Sequence, residues 1–207
     1  MPFSRLSTLI ALLLIASFSS ALARSFSTVV IDAGHGGKDH GGHYGKVYEK
    51  HLALDTAKRV EYLLKKKGYS TRMTRTSDVF LSLQKRAAIG NRYRNSIFVS
   101  IHYNYTYRRG AKGIETFYYT SRSKPLATYV HKEILRKTGA NDRKVKFARY
   151  YVIRHSKNPS ILFEGGFLSN SGELRSCKKG YYRQRIAEGI VKGIGKYQSA
   201  RRSGRLK

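Results

Sequence analysis

The sequence predicts an α/β fold, in which a mainly parallel, twisted sheet carries helices on both faces within a single domain. Three observations lead to this prediction. Apolar runs rich in β-branched residues alternate with segments whose apolar residues recur at helical spacing. The apolar runs are nearly continuous, as is typical of strands buried on both faces. The chain has 207 residues and is 41% apolar, which suffices for a packed core and excludes a disordered polycation.

The first half of the chain supplies three predicted strands and two predicted helices. Ser27–Asp32 is a β-branched run that stops at a glycine-rich loop. A helix is predicted from Glu49 to Lys67, followed by Gly68 as a C-cap. Its apolar stripe consists of Ala53, Ala57, Val60 and Leu64. The next predicted elements are a strand at Tyr69–Thr74, a helix at Leu83–Asn91 and a strand at Ser96–His102.

The second half continues the alternation. The predicted elements are strands at Gly113–Tyr119, Tyr150–His155 and Ser160–Phe163, a helix at Leu126–Lys137, and a final amphipathic helix with Ile186, Ile190, Ile194 and Tyr197. Sites in parallel sheets lie beyond the carboxyl ends of the strands. Three predicted strands end in chemically capable residues: Asp32 with His35 close behind, His102, and Glu164.

Both ends of the chain are predicted to lie outside the domain. Residues 1–23 have a positive start at Arg5, an apolar run at Leu9–Ala16 and a small-residue cleavage pattern at Ala21–Ala23, which together indicate a secretory signal peptide. An uncleaved anchor is the alternative. The mature protein is therefore expected to begin at Arg24 and to be exported, periplasmic or cell-wall associated. Residues 201–207 are expected to form a basic tail.

The charge balance predicts anionic partners. Lys and Arg number 41 against 12 Asp and Glu, a formal charge of +29. The electrostatic field of such a charge attracts phospholipid headgroups, carboxylate-rich polymers or nucleic acid. The signal peptide argues against nucleic acid, which is not expected as a partner.

Cys177 is the single cysteine, so an intramolecular disulfide and any zinc site built from several cysteines are excluded.

A metal site is predicted from His35, Glu49 and His102. Each lies just past a predicted strand or at a predicted helix start, so the three are expected near one edge of the sheet. Two imidazoles and one carboxylate are a common catalytic zinc set that leaves the fourth position for water. The spacing by itself does not identify the metal, because no H-E-x-x-H helix is present.

Six segments in one order then resemble the zinc-dependent N-acetylmuramoyl-L-alanine amidases sometimes called amidase type 3. They are VVIDAGHGGKDHGG, VYEKHLALDTAKRVEYLLKKKGY, TRMTRTSDVFLSLQKRAAIGN, SIFVSIHYN, GIETFYY and SILFEGGFLSN, within Thr28–Tyr197. The resemblance implies that residues 24–200 form a zinc amidase catalytic domain acting on peptidoglycan. It also implies that His35, Glu49 and His102 bind Zn²⁺ and that Glu164 is the catalytic carboxylate.

Alternatives stay open at this point. The same metal ligands and catalytic carboxylate would also suit a zinc peptidase acting within the stem peptide. The same fold and charge would suit a non-catalytic peptidoglycan-binding module. Glu164 could be a fourth zinc ligand or a general base, and the base is favoured because a fourth protein ligand would leave no place for water. Some relatives carry a helix that covers the metal, and the stretch from His102 to Gly113 is too short for one.

Several other polar residues have two interpretations. Asp32 either ends its strand or supports a zinc histidine, and Arg86 either forms a structural ion pair or holds a substrate carboxylate. Glu115 is expected to be structural or to lie on the rim. The five remaining candidate histidines, interpreted as loop or surface residues, are His40, His43, His51, His131 and His155.

Overall fold

A central sheet organises the protein, whose computed structural model describes residues 26–206. Its six strands are β1 (Thr28–Ala33), β4 (Ser70–Met73), β5 (Ser96–Asn104), β6 (Ile114–Tyr118), β7 (Asp142–Phe147) and β8 (Ser160–Phe167). They follow the order β4-β1-β5-β8-β6-β7. A separate two-stranded hairpin pairs β2 (His43–Tyr44) with β3 (Val47–Tyr48).

Most neighbouring strands run parallel. β4, β1, β5 and β8 are mutually parallel, and β6 and β7 are parallel to each other. Within this six-stranded sheet of the described residues, only the β6–β8 pair is antiparallel. The prediction of a mainly parallel sheet is confirmed, and the carboxyl ends of β1, β5 and β8 share one edge.

Helices cover both faces, as predicted. They are α1 (Glu49–Lys66), α2 (Leu83–Asn91), α3 (Lys124–Thr138), α4 (Tyr151–Arg154), α5 (Ser171–Lys178) and α6 (Gly180–Arg202). Helices α1, α3 and α6 pack together over one face and enclose the larger core, while α2 and α4 lie over the other. The stripe expected on α1 is buried there. Within residues 26–206, no helix is both long and apolar enough to cross a bilayer.

Four local features differ from the predictions. The strand predicted at Tyr150–His155 was wrong, because Val152 and Ile153 bury their side chains from the one-turn helix α4. Edge strand β7 was not predicted, since its sequence DRKVKF is mostly charged, and neither was α5. Helix α6 also continues through Arg201 and Arg202, two residues of the expected tail. The predicted signal peptide lies outside the described residues.

Candidate metal centre and active site

The structure brings the three predicted ligands together. His35 follows β1, Glu49 is the first residue of α1, and His102 lies near the end of β5. His35 Nε2 is 3.1 Å and His102 Nδ1 is 2.8 Å from Glu49 Oε1. The two nitrogen atoms are 3.2 Å apart. Among residues 26–206, no other group of His, Cys, Asp or Glu residues has the geometry to hold a metal ion.

This triangle of atoms fits a tetrahedral metal ion. Bonds of about 2.0 Å at the tetrahedral angle place ligand atoms about 3.3 Å apart, close to the three distances observed. The donors are two imidazole nitrogens and one carboxylate oxygen, a set that suits zinc. The arrangement leaves one face open for a fourth ligand.

Backbone groups orient the Glu49 carboxylate. Its Oε2 accepts a hydrogen bond from the Gly42 amide at 2.8 Å, and its Oε1 accepts one from the Tyr103 amide at 3.0 Å. On the far side of the His35 ring, Nδ1 lies 2.8 Å from Asp39 Oδ1. A carboxylate this close to a ligating imidazole is an ion-pair partner that favours this orientation of the ring. Asp39 was not singled out from the sequence, although it lies four residues after His35 within the glycine-rich loop.

Two buried arginines hold the loop that carries His35. His35 has a φ of 55°, a conformation that costs a non-glycine residue roughly 1–3 kcal/mol unless its surroundings impose it. Arg86 Nη2 donates to the His35 carbonyl at 2.6 Å, and Arg75 Nη2 donates to the Gly34 carbonyl at 2.7 Å. Both guanidinium groups also donate to the carbonyl of Ala33. The strained backbone is therefore fixed from two directions.

Asp32 supports this loop, and its side-chain hydrogen bonds within residues 26–206 do not include a histidine. Its carboxylate accepts hydrogen bonds from Arg86 Nη1 at 2.9 Å, Thr74 Oγ1 at 2.7 Å and Ser100 Oγ at 2.7 Å. The interpretation of Asp32 as the partner of a zinc histidine was wrong, and Asp39 occupies that position. Arg86 is 2% exposed and forms the structural ion pair, so its guanidinium is engaged within the protein.

The electrostatics of the site favour a bound cation. Burial raises the pKa of Glu49, but the imidazoles of His102 and His35 outweigh burial and hold the pKa well below its ordinary value. Burial lowers the pKa of His35, and the carboxylates of Glu49 and Asp39 more than reverse this effect. The site thus places ionised carboxylate beside two imidazoles, a charge arrangement that a divalent ion would complete.

Glu164 lies beside the three converging atoms. It pairs with His102 in the register between β5 and β8, and it is opposite Glu115 in β6. Its Oε2 is buried and has no hydrogen-bond partner within residues 26–206. Burial, with the charges of Glu49 and Glu115, raises the pKa of Glu164 well above its ordinary value. A buried carboxylate oxygen without a partner beside a metal site is available to accept a proton.

Glu115 has the structural role expected of it. It is buried and forms ion pairs with Arg143, at 3.0 Å, and with Lys146. It also accepts a hydrogen bond from Asn104 Nδ2 at 3.1 Å. Its charge is thereby compensated, whereas Glu164 forms no ion pair with any of the described residues 26–206.

A cleft of about 350 Å³ opens over the site. Its walls include Leu83, Tyr105, Tyr150 and Tyr151, while His35, Glu49, His102 and Glu164 lie at its base.

Other histidines lie apart from the converging atoms. His131 is buried between Thr116 and Asp142, so its interpretation as a loop or surface residue was wrong. His51 is exposed, with Nε2 3.5 Å from Asp78 Oδ2.

Known proteins share this sequence and fold. The family model of N-acetylmuramoyl-L-alanine amidase matches residues 29–196. N-acetylmuramoyl-L-alanine amidase LytC of Bacillus subtilis is 36% identical over 174 residues, which are 82% of this chain and 35% of LytC. The chain therefore spans about a third of that relative. The uncharacterized protein YqiI of the same organism is also 36% identical, and the match covers 82% of this chain and 84% of YqiI.

Solved structures agree with these sequence matches. The catalytic domain of the amidase CwlV from Bacillus (Paenibacillus) polymyxa superposes with a TM-score of 0.80 at 38% identity, covering 84% of this chain and 98% of that one. An N-acetylmuramoyl-L-alanine amidase from Clostridium difficile 630 gives a TM-score of 0.82 at 36% identity, covering 85% and 98%. With the family model matched over most of the described residues, the chain belongs to the N-acetylmuramoyl-L-alanine amidase family.

Proposed function

We propose that this domain hydrolyses the amide bond between the lactyl group of N-acetylmuramic acid and L-alanine of the peptidoglycan stem peptide. The observation that carries the proposal is the triangle of His35, Glu49 and His102 atoms with the partnerless Glu164 oxygen beside it. Family membership supports the substrate, since LytC, CwlV and the Clostridium difficile protein are named N-acetylmuramoyl-L-alanine amidases.

His35, Glu49 and His102 would hold the ion, which we propose to be Zn²⁺. When bound, zinc supplies Lewis acidity and lowers the pKa of water towards about 7. Asp39 keeps His35 Nε2 aimed at the site, and the amides of Gly42 and Tyr103 keep Glu49 in place. These contacts fix the ligand atoms before substrate arrives, which reduces reorganisation during the reaction.

Glu164 would move the proton. Oε2 accepts a proton from the attacking water and returns it to the leaving nitrogen, so that the amide bond breaks to a carboxylic acid and a free amine. The raised pKa suits this role, because a more basic carboxylate is a better proton acceptor near neutral pH. The alternative role as a fourth protein ligand would close the open face.

The cleft itself would accept substrate without rearrangement. Residues 105–113, which follow β5, contain no helix that could cover the converging atoms. We therefore propose that the isolated domain is active without an activator. Tyr105 on the wall stacks near His43 with ring centroids 6.4 Å apart, and such exposed rings offer faces to sugars.

Export would bring the enzyme to its substrate. We propose that residues 1–23 are removed, that the catalytic domain covers residues 24–200, and that the protein acts in the periplasm or at the cell wall. The name of a Staphylococcus aureus relative, probable cell wall amidase LytH, is consistent with action at the wall.

Mass spectrometry of purified sacculi treated with the zinc-loaded protein tests the reaction. Lactyl-amide cleavage releases intact stem peptides and leaves glycans without peptide. Shortened peptides still attached to glycan would instead identify a peptidase. Binding without any product would identify a non-catalytic module.

A further inference from the structure

One wall of the cleft continues into a connected series of aromatic rings. Tyr105 lies on that wall, and its ring centroid is 6.1 Å from that of Tyr107 and 6.4 Å from that of His43. The series continues from His43 to Tyr48 at 5.9 Å and from Tyr48 to His40 at 4.7 Å. We call these five rings the aromatic ridge.

Neither core packing nor metal binding explains the aromatic ridge. Tyr107 is 94% exposed and Tyr105 is 43% exposed, and His40 and His43 are also exposed. Aromatic side chains that stabilise a fold bury most of their surface. The two histidines do not belong to the metal-binding group found within residues 26–206. A connected aromatic surface left at the rim of a cleft is typical of an interaction site.

The aromatic ridge is built on the segments that carry the metal ligands. Tyr48 directly precedes Glu49, and Tyr105 lies three residues after His102. Gly42 joins the two segments, because its amide donates to Glu49 Oε2 at 2.8 Å and it packs against Tyr105. A Cβ added at Gly42 would lie only 2.6 Å from the Cβ of Tyr105. A molecule bound on the ridge is therefore held in a fixed position relative to the converging atoms.

Charge separates the aromatic ridge from the wall that contains Tyr150. Segment 143–149, which leads to Tyr150, carries four Lys or Arg residues, and only two carboxylates, those of Glu115 and Asp142, pair with them. The stem peptide of the substrate carries free carboxylates, which such a wall attracts. The glycan strand is uncharged, and its sugar rings have apolar faces that fit flat aromatic rings. The ridge therefore suits the glycan better than the peptide.

We propose that the aromatic ridge binds the glycan strand beside the muramic acid whose amide bond is cut. This inference rests on the proposed function, because a cleft that holds one muramic acid must let the neighbouring sugars of the same strand leave along a wall. Covering one ring face removes roughly 50 Å² of apolar surface from water, which strengthens binding about eightfold. The enzyme should therefore favour glycan strands over a peptide attached to a single muramic acid.

Calorimetric titration of the full chain with a peptide-free tetrasaccharide of the glycan tests the ridge without relying on hydrolysis. The test variants are Tyr107→Ala, and His43→Ala combined with Tyr107→Ala. The control variant, Tyr62→Ala with Tyr181→Ala, removes two exposed rings that are not among the residues lining the cleft. We expect binding about eightfold weaker in the single variant and at least about tenfold weaker in the double variant. The control should stay within about twofold of the unmodified protein. The almost fully exposed Tyr107 makes the single variant safe for the fold.

Substrate preference gives a second measurement. For the unmodified protein, kcat/KM for a tetrasaccharide that carries stem peptides should exceed kcat/KM for a single muramoyl peptide by about tenfold or more. The double variant should lose most of this preference. The ratio of the two values is informative because a change in the reacting groups would lower both.

Unchanged tetrasaccharide binding in the double variant would overturn the proposal, and so would an equal loss in the control. Weaker binding of free stem peptide, with tetrasaccharide binding intact, would assign the ridge to the peptide and would also overturn it. Ridge-dependent tetrasaccharide binding without any hydrolysis would contradict the proposed reaction and support the ridge. Hydrolysis with binding that is independent of the ridge would overturn the ridge alone.

Discussion

Replacing Asp32 with asparagine should lower the free energy of unfolding by about 3 kcal/mol at neutral pH. The substitution keeps the size of a fully buried side chain and retains hydrogen-bond acceptance from Thr74. It removes the counter-ion of Arg86, which is 2% exposed. Breaking a buried ion pair from one side costs about 3–5 kcal/mol. We expect the lower value because Arg86 keeps its hydrogen bonds to loop carbonyls.

Urea denaturation of the unmodified protein, Asp32→Asn and a control, Asp55→Asn, measures this effect. Asp55 is partly exposed and pairs with Arg59 and Arg183, so its loss should cost no more than about 1 kcal/mol. In thermal melts, the Asp32 variant should unfold about 6–12 °C lower.

The pH dependence of the free energy of unfolding gives a second test of the Asp32–Arg86 pair. Burial raises the pKa of Asp32, but Arg86 and the hydroxyls of Thr74 and Ser100 outweigh burial and hold the pKa below its ordinary value. The stabilisation is therefore present above the unfolded-state pKa of about 3.9 and is lost as pH falls through the folded-state value. The gap between the unmodified protein and Asp32→Asn should narrow below about pH 4. A cost below about 1 kcal/mol at neutral pH, equal to that of the control, would refute this account of the Asp32–Arg86 pair.

Three further predictions concern the site and its substrate. Alanine at His35, Glu49 or His102 should sharply reduce metal content from about one zinc per chain by elemental analysis, and full occupancy in all three variants would reject the ligand assignment. Gly34→Ala should reduce zinc affinity tenfold or more in a chelator competition, because the new Cβ would lie 2.4 Å from His102 Cε1, and unchanged affinity would contradict this packing argument. Sacculus binding should weaken as salt rises, since exposed charges are screened beyond about 8 Å at physiological ionic strength, and salt-independent binding would point to aromatic and hydrogen-bond contacts.

The sequence predicted those strands and helices whose apolar pattern fits only one type of secondary structure. β1, β5 and β8 are nearly unbroken apolar runs, and α1 has a complete helical stripe, so their positions follow from burial. β7 alternates charged and partly buried residues at the sheet edge, where solvent tolerates charge. At Val152 and Ile153 the error was the reverse, since a strand was predicted where the structure has a helix. A short apolar run does not distinguish a strand from one turn of helix.

The candidate site was predictable to a similar extent. His35 follows β1 and His102 lies near the end of β5, and parallel strands bring such positions to one edge. Glu164 was expected just past its strand, but β8 continues through it to Phe167. Asp39 and Arg75 were missed because their roles depend on the path of a glycine-rich loop and on buried backbone carbonyls. The spacing of His35 and Asp39 was the only sequence pattern that pointed to their contact. No periodicity indicates that an arginine will be buried to hold a loop.

The proposed role of Glu164 as proton acceptor is tested most directly by the hydrolysis rate of Glu164→Gln on purified sacculi, measured with zinc content matched to the unmodified protein. Glutamine keeps the size of the side chain and removes its capacity to accept a proton. The variant should retain zinc and sacculus binding while losing roughly 10²- to 10⁴-fold in rate. Near-normal turnover would contradict the base role, and a variant unable to hold zinc would make Glu164 a metal ligand.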